Sequence, residues 1–571
     1  MTQTHAPGQT QHPFLAQHAP TLARAVQACA ERGFWTPYPE SPSPRVYGAD
    51  AAAAGQAAFE ALLDRPFDLA QPGTAGSVAT ERSPYGMALD VSYPRVRPGT
   101  VDALLDAARA GMPAWRDAGP ATRAGVALEI LARLNVASFT MAHAVMHTTG
   151  QPFVMAFQAG GPQAQDRGLE AVAYAYQEMT RVPAVAYWEK PTSRGEPIRT
   201  STTFTVIPRG VGLVIGCTTF PTWNSYPGLF ASLVTGNAVV VKPHPGSVLP
   251  LALTVRTARE VLAEAGFDPN LVTLAAEDPA DRLASVLATR SETAIVDFTG
   301  SSAYGQWLQE HARGAVVYTE TSGVNTVVVD STDDLAGMAA NIAFSLTLYS
   351  GQMCTTPQDI FIPAGGIATE SGHRTVDEVV EAISGAIRRL TEDAARAVEL
   401  LGAVVNDSVL ARLETAGTTG RVALASRRIV HPSWPQAVVR TPALVVLEAA
   451  DEARYASECF GPVSYLVTTG STQESLAIMT RTVREHGGMT ASVYSTDPAV
   501  LQSARQAALE AGVALSVNLT DGVYVNQSAA FSDFHGTGAN PAANASLTDA
   551  AFVTGRFRVV GVRQHVAAPE E

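Results

Sequence analysis

Hydrophobic positions recur at two different periods along the 571-residue chain. Helical spacing begins near Phe14 and continues, with breaks, to about Leu63, and connectors rich in Pro and Gly occupy 37–44 and 71–85. From 101 to 151 the pattern is strongly helical. Leu104, Leu105, Ala108 and Met112 repeat at three- and four-residue steps, as do Val126, Ile130, Leu131 and Leu134. Between 202 and 243 the period shortens. Phe204-Thr-Val-Ile and Val211-Gly-Leu-Val-Ile-Gly read as strands on either side of an Arg-Gly turn, and Ala238-Val-Val-Val follows after a helix-length gap. Beyond it, apolar segments such as Val272-Thr-Leu and Ala294-Ile-Val alternate with helices, the βαβ signature of a mostly parallel sheet. A second strand–helix set runs from Val316 to about Asn518, with strands near Thr326, Ile360 and Val463. The tail 555–566, with Phe557, Val559, Val560 and Val562, has strand composition again and can pair with a segment far away in sequence.

Composition narrows the class. Hydrophobic residues make up 46% and charged residues 16%, the latter well below the usual ~25%, which excludes full-length disorder. The 39 Lys and Arg face 53 Asp and Glu, a net charge of −14. Nucleic acid and anionic membranes demand a positive footprint, so neither is the main partner; a phosphorylated small ligand needs only a local anion site. The uncharged 32-residue stretch 210–241 is interrupted by prolines, glycines and an Asn-Ser pair. It reads as buried strand, turn and helix rather than a membrane span. Cys29, Cys217, Cys354 and Cys459 form no CxxC pair and no zinc-type spacing, and the N-terminus lacks a basic start followed by an apolar core. A cytoplasmic protein with free thiols and no metal is expected.

Candidate chemistry centres on Cys354, in Tyr349-Ser-Gly-Gln-Met-Cys-Thr-Thr, after the helical stretch 335–348 and before a strand. A thiol on such a turn, beside unpaired backbone N–H groups, can be held as thiolate and open to substrate, although a free Cys is more often a small buried hydrophobe. Glu320 ends a strand 34 residues upstream, in Glu320-Thr-Ser-Gly-Val-Asn, where a carboxylate can serve as general base. In Phe298-Thr-Gly-Ser301 a strand ends in a small-residue turn that opens a helix, a place that can receive a pyrophosphate. Lys242 ends another strand in Val240-Val-Lys-Pro-His-Pro, and Glu458-Cys-Phe-Gly-Pro-Val puts a carboxylate beside a turn. Taken singly, each has a plainer reading: a surface acid, an ordinary turn, a solvated lysine.

In this order and spacing the segments resemble the aldehyde dehydrogenase superfamily. Its pattern has a strand-end lysine, FTGS, Glu-x-x-Gly-x-Asn, GQxC about 34 residues later and E-x-FGPV about a hundred residues beyond; here Glu458 follows Cys354 by 104. The likeness extends from Ala114-Trp-Arg to the C-terminal strand. Thr218-Thr-Phe-Pro-Thr-Trp-Asn-Ser-Tyr-Pro-Gly, Val241-Lys-Pro-His-Pro-Gly and His535-Gly-Thr-Gly-Ala-Asn-Pro are further similar to the PaaN-like group of phenylacetate-degradation proteins.

The resemblance implies an α/β, aldehyde-dehydrogenase-like fold. N-terminal helices and a Rossmann-type NAD(P)-binding domain would occupy 1–183 and 204–318, and an α/β catalytic domain 319–518. Oligomerisation strands at 184–203 and 555–566 would form a bridging sheet in a homodimer or homotetramer, and 519–554 would border the substrate site. Cys354 is implied as nucleophile and Glu320 as base. Lys242 and Glu458 would hold ribose hydroxyls, Ser301 and Gly300 the pyrophosphate, and Cys217 and Phe460 would flank the cofactor. Phe220, Trp223, Asn224, Pro227 and His535 are implied at the substrate. That substrate is an aldehyde and, from the PaaN-like similarity, a CoA-linked semialdehyde, oxidised to the acid through a thiohemiacetal and a thioester.

Two positions depart from the family pattern. The oxyanion asparagine 23 residues before the lysine is Thr219 here, so the Thr219 hydroxyl is the expected donor and Asn224 the alternative. The Glu found three residues after the lysine in NAD-preferring members is Pro245. Without that carboxylate a 2′-phosphate meets no repulsion, so NADP is the expected cofactor, with NAD as the alternative. Two rival readings stand beside this one: a CoA-acylating dehydrogenase, which Glu320 argues against because it can activate water, and a catalytically silent structural relative.

Overall fold

A computed structural model describes residues 12–193, 195–321, 323–527, 530–532 and 535–566. The apolar runs become the strands of two parallel sheets. Val211–Ile215 and Ala238–Lys242 are buried along their whole length, as strands covered by helices on both faces must be. Their sheet runs Val272–Leu274, Ala238–Lys242, Val211–Ile215, Thr293–Gly300, Val316–Thr321, with every pair parallel. The chain starts in the middle, builds outward one way and then crosses to build the other way. That reversal opens a crevice at the C-terminal ends of Val211–Ile215 and Thr293–Gly300, where doubly wound sheets bind ligands.

A second sheet has seven strands in the order Arg421–Leu424, Ala443–Glu448, Val463–Thr469, Asp359–Pro363, Thr326–Val329, Thr490–Tyr494, Ala514–Val517. Only the Arg421–Leu424 edge is antiparallel. Strand Val316–Thr321 crosses residue 318, the expected division between the two units, and belongs wholly to the first sheet. The stretch 71–85, expected as a connector, contains strand Thr74–Val78, paired with Tyr93–Val96.

The tail strand Phe557–His565 pairs antiparallel with Ile198–Pro208, which pairs with Val185–Lys190. This ribbon keeps apolar side chains in solvent, among them Tyr187 (80% exposed), Trp188 and Val562. Helix Pro162–Met179 packs closely on helix Pro221–Val234 through a small residue: a Cβ on Gly168 would lie 2.8 Å from the Phe230 ring. Among the described residues no single helix is long and apolar enough to cross a membrane.

One further segment decides the site. Residues 535–547 lie along the outer edge of Val316–Thr321. Ala542 accepts from Thr321 N–H at 2.7 Å, Asn544 Oδ1 accepts from Thr319 N–H at 2.9 Å, and Glu320 bridges Ala543. The edge strand's orphan groups are thereby satisfied, and His535 is carried to Glu320.

Candidate active site

Cys354 follows a turn of unusual backbone. Tyr349 and Ser350 have φ of 53° and 50°, and Gly351 follows at 65°. Non-glycine residues in this region are strained and persist only when their surroundings over-determine them. Here Tyr349 Oη donates to the Thr149 carbonyl, and Ser350 Oγ donates to Leu401 O at 3.1 Å and Arg440 O at 2.9 Å. A Cβ on Gly351 would strike the Gly461 carbonyl at 2.7 Å. Asn325 then clamps the turn: its Nδ2 donates to the Cys354 carbonyl at 2.7 Å and to Thr356 O at 3.0 Å, while its Oδ1 accepts from the Met489 and Thr490 amides.

Glu320 stands at the end of its strand, half-buried, and its Oε1 accepts from Asn224 Nδ2 at 3.0 Å. His535, almost fully buried, has Nε2 3.6 Å from the same oxygen. One donor atom each from Glu320, Cys354 and His535 lies within 4.8 Å of the other two. Two clefts take their linings from this group. The larger, about 590 Å³ and partly open to solvent, is lined by Glu320, His535, Asn224, Pro227, Arg167 and Asp297, among others. The smaller, about 260 Å³, is lined by Cys354, Glu458, Phe460, Asn325 and Gly323, among others.

Three other cysteines are held as thiols. Burial pushes the Cys29 thiol up to about 12 and the Cys217 thiol up to about 11, and it also raises Cys459. Cys217 lies near the site, with Sγ 3.5 Å from Asn224 Oδ1. Thr219 lies in the following loop, and its carbonyl accepts from Gln151 Nε2 at 2.7 Å. Phe220 ends the loop as N-cap of helix Pro221–Val234 and stands edge-on to Tyr349 at 5.8 Å. On that helix Trp223 is buried between two groups of the site: its ring lies 4.7 Å from His535, and the Arg167 guanidinium lies 4.4 Å from its centroid. Trp223 thus packs between these two groups, and Asn224 and Pro227 line the large cleft.

The cofactor candidates gather at the sheet crevice. Lys242 is buried and ion-paired with Glu277, whose other oxygen accepts from Leu283 N–H at 2.6 Å. Ser301 caps the ten-residue helix Ser302–His311. Beside it Gly300 cannot enlarge, since a Cβ would lie 2.6 Å from the Phe298 ring. A strand-end lysine, an open helix N-terminus with a glycine that only a bare backbone fits, and a carboxylate in the Cys354 cleft form a donor set suited to a dinucleotide. Sequence reasoning missed Gln151, Arg167 and Glu277, and quoted Asn325 without giving it a role. Arg167 and Glu277 are charged residues inside ordinary helix and turn patterns, so no local signal marks them.

A thiol held on a braced turn, a carboxylate beside it and a crevice suited to a dinucleotide fit the class of nicotinamide-dependent dehydrogenases. The chain belongs to the aldehyde dehydrogenase family, whose model matches residues 76–545, and it is an NAD(P)-dependent aldehyde dehydrogenase. It is 27% identical to N-succinylglutamate 5-semialdehyde dehydrogenase of Chromobacterium violaceum over 66% of this chain and 73% of that one. It is 28% identical to geranial dehydrogenase of Castellaniella defragrans over 53% and 61%. A crystal structure of an NAD-dependent aldehyde dehydrogenase from Burkholderia multivorans is 57% identical and superimposes with a TM-score of 0.96, covering 98% of this chain and 100% of that one.

Proposed function

We propose that the protein oxidises a semialdehyde to its carboxylate with NAD(P), with Cys354 as nucleophile and Glu320 as the base of hydrolysis. The convergence of Cys354 and Glu320, each lining a cleft, carries this reading. Sγ attacks the aldehyde carbon, forming a C–S bond as the carbonyl π pair moves to oxygen. Preorganised donors must meet that oxygen; we assign the Cys354 backbone N–H and the Thr219 hydroxyl, because the Asn224 amide already serves Glu320. The bound nicotinamide supplies hydride acceptance. Glu320 then takes a proton from water, whose oxygen attacks the Cys354 thioester. The C–S bond breaks and its electron pair returns to sulfur. Overall, aldehyde, water and NAD(P)⁺ give carboxylate, NAD(P)H and two protons.

Lys242 and Glu458 would hold ribose hydroxyls, and the helix start at Ser301, with Gly300, the pyrophosphate; Cys217 and Phe460 complete the cofactor side. NADP is accepted in this reading, because Pro245 offers no carboxylate and Lys242 neutralises Glu277. The printed activity of the Chromobacterium violaceum relative supports a semialdehyde substrate, and the PaaN-like motifs support a CoA-linked one from aromatic catabolism. Phe220, Asn224 and Pro227 would line its approach. The exposed apolar ribbon supports assembly into a homodimer or homotetramer, and the scattered free thiols support a cytoplasmic location. A turnover screen of free aryl and aliphatic aldehydes beside CoA-thioester semialdehydes, with NAD and with NADP, tests the reading. Cys354→Ala should abolish every signal; activity retained in that variant overturns it.

A further inference from the structure

We infer that His535 is the group that takes the Cys354 thiol proton, held for that task by Glu320, so that the two protons of each turnover leave through different side chains. The inference rests on the reading of Cys354 as nucleophile and goes beyond it. A cysteine of ordinary pKa is only a few per cent thiolate at neutral pH, so a nucleophilic one needs a base or cation beside it. A lone Glu320 serves that need poorly, because a carboxylate next to a thiol opposes its ionisation. His535 supplies what Glu320 lacks. One of its ring nitrogens lies within 4.8 Å of the nearest Cys354 and Glu320 donor atoms, a gap that a bridging water spans. Nε2 lies 3.6 Å from Glu320 Oε1, close enough for the carboxylate to stabilise an imidazolium once formed.

The position is built rather than incidental. The ring packs against Trp223 at 4.7 Å. The loop that carries it is tied to the Glu320 strand through Ala542 and Asn544, and to the turn before strand Thr490–Tyr494 through Asn540, whose side chain bonds both Gly488 N–H and Gly488 O. A Cβ on Gly487 would lie 2.7 Å from the Ala542 amide, so that glycine lets the loop approach. Other ionisable groups share the neighbourhood: Arg167 from the Pro162–Met179 helix, Asp297 and Tyr318 from the first sheet, and Cys217 ahead of the Pro221–Val234 helix. Asp297 is engaged by Arg556, and burial keeps Cys217 and Tyr318 as neutral acids. Arg167 favours the thiolate and opposes the imidazolium, and Glu320 does the reverse.

The step balances without any added reactant. The S–H bond breaks, its electron pair stays on sulfur, and the proton goes to a His535 ring nitrogen. In the second half-reaction Glu320 receives the water proton.

The test is the pH dependence of Cys354 alkylation by iodoacetamide, followed by peptide mass spectrometry on protein without cofactor or aldehyde. A thiolate–imidazolium pair gives the native protein a midpoint below pH 7, at least one unit under the ~8.5 of a free cysteine. In His535→Gln the midpoint rises by a unit or more, and alkylation at pH 7 slows about tenfold. A native midpoint near 8.5, or an unmoved midpoint in His535→Gln, overturns the inference. The native profile alone decides the matter if the variant does not fold. Failure of the parent reading would look different, as dehydrogenase turnover surviving Cys354→Ala.

Discussion

Asn224 donates its side-chain amide to Glu320 Oε1 at 3.0 Å, across the gap between the Pro221–Val234 helix and the edge strand of the first sheet. The bond fixes one carboxylate oxygen. Removing a donor from a charged acceptor costs about 2 kcal/mol, roughly thirtyfold in rate if felt wholly in deacylation. Asn224→Ala should therefore slow steady-state turnover while leaving the first turnover fast, seen as a burst of reduced cofactor in stopped flow. Glu320→Gln should show the same burst with almost no steady state. Loss of the burst in both would show that their larger effect falls on acylation, through the Glu320 hold on His535.

Stability has a separate centre. Arg556 has no exposed surface. It grips Asp297 with two bonds of 2.6 and 2.7 Å, donates to Ser232 Oγ at 2.8 Å, and lies over Tyr318 and Phe552. Gly228 makes room, since a Cβ there would lie 2.4 Å from the Asp297 carboxyl carbon. Breaking a buried pair leaves a charge without compensation, at about 3–5 kcal/mol. Arg556→Met should lower the melting temperature by several degrees, and Arg556→Met with Asp297→Asn should recover much of it. Thermal melts of both variants read the difference directly.

In the proposed reading, cofactor choice turns on Pro245 and Glu277. With no carboxylate at 245, and Glu277 paired to Lys242, kcat/KM for NADP should come within tenfold of that for NAD or exceed it. Glu277→Gln removes a negative charge and releases Lys242, so the NADP-to-NAD ratio should rise further. A native ratio strongly favouring NAD contradicts the assignment to Pro245.

The exposed ribbon predicts assembly. Tyr187 and Trp188 on one strand, with Val562 on another, present apolar surface that a monomer would leave in water. Light scattering should report a dimer or tetramer, and a Tyr187→Glu, Trp188→Glu double variant should shift it toward monomer while the melting temperature of the individual subunit stays close.

Sequence alone resolved what repeats or is chemically rare. Val211–Ile215, Ala238–Lys242 and Thr326–Val329 are unbroken apolar runs, because both faces of each strand are buried, and such runs stand out. Thr74–Val78 did not stand out: it is a mostly exposed edge strand with a central glycine, so nothing in its side chains opposes a turn. Cys354 and Glu320 were visible through the 34-residue interval of the family pattern, one in a turn after Leu348–Gly351 and the other near the end of Val316–Thr321. His535 was named for the substrate side, but its approach to Glu320 depends on strand-like pairing between 535–547 and Val316–Thr321. Pairing partners so far apart leave no periodic trace. Arg167 sits in a helix whose pattern a surface arginine would fit equally well, and only the fold turns it over Trp223.

Acid stability rests in part on a histidine away from the chemistry. His147 is buried, stacked on Phe59 at 5.4 Å, with Nδ1 3.0 Å from Ser83 Oγ. Burial, and then the neighbouring His143, push its pKa down from 6.5 to about 4. The folded protein therefore keeps this ring neutral where the unfolded chain would protonate it. Between pH 6.5 and 4 the unfolded state binds more protons, so stability rises with pH across that window. The contribution is fully present above 6.5 and is lost as the pH falls toward 4, by up to about 3 kcal/mol at the conversion of 1.36 kcal/mol per unit. Thermal melts at pH 7.5 and pH 5 should show the native protein destabilised at the lower value. His147→Phe keeps a ring against Phe59 without a titrating nitrogen, so it should flatten that part of the dependence even if its own stability at pH 7.5 is lower. An equal acid shift in both proteins would assign the loss to other buried groups.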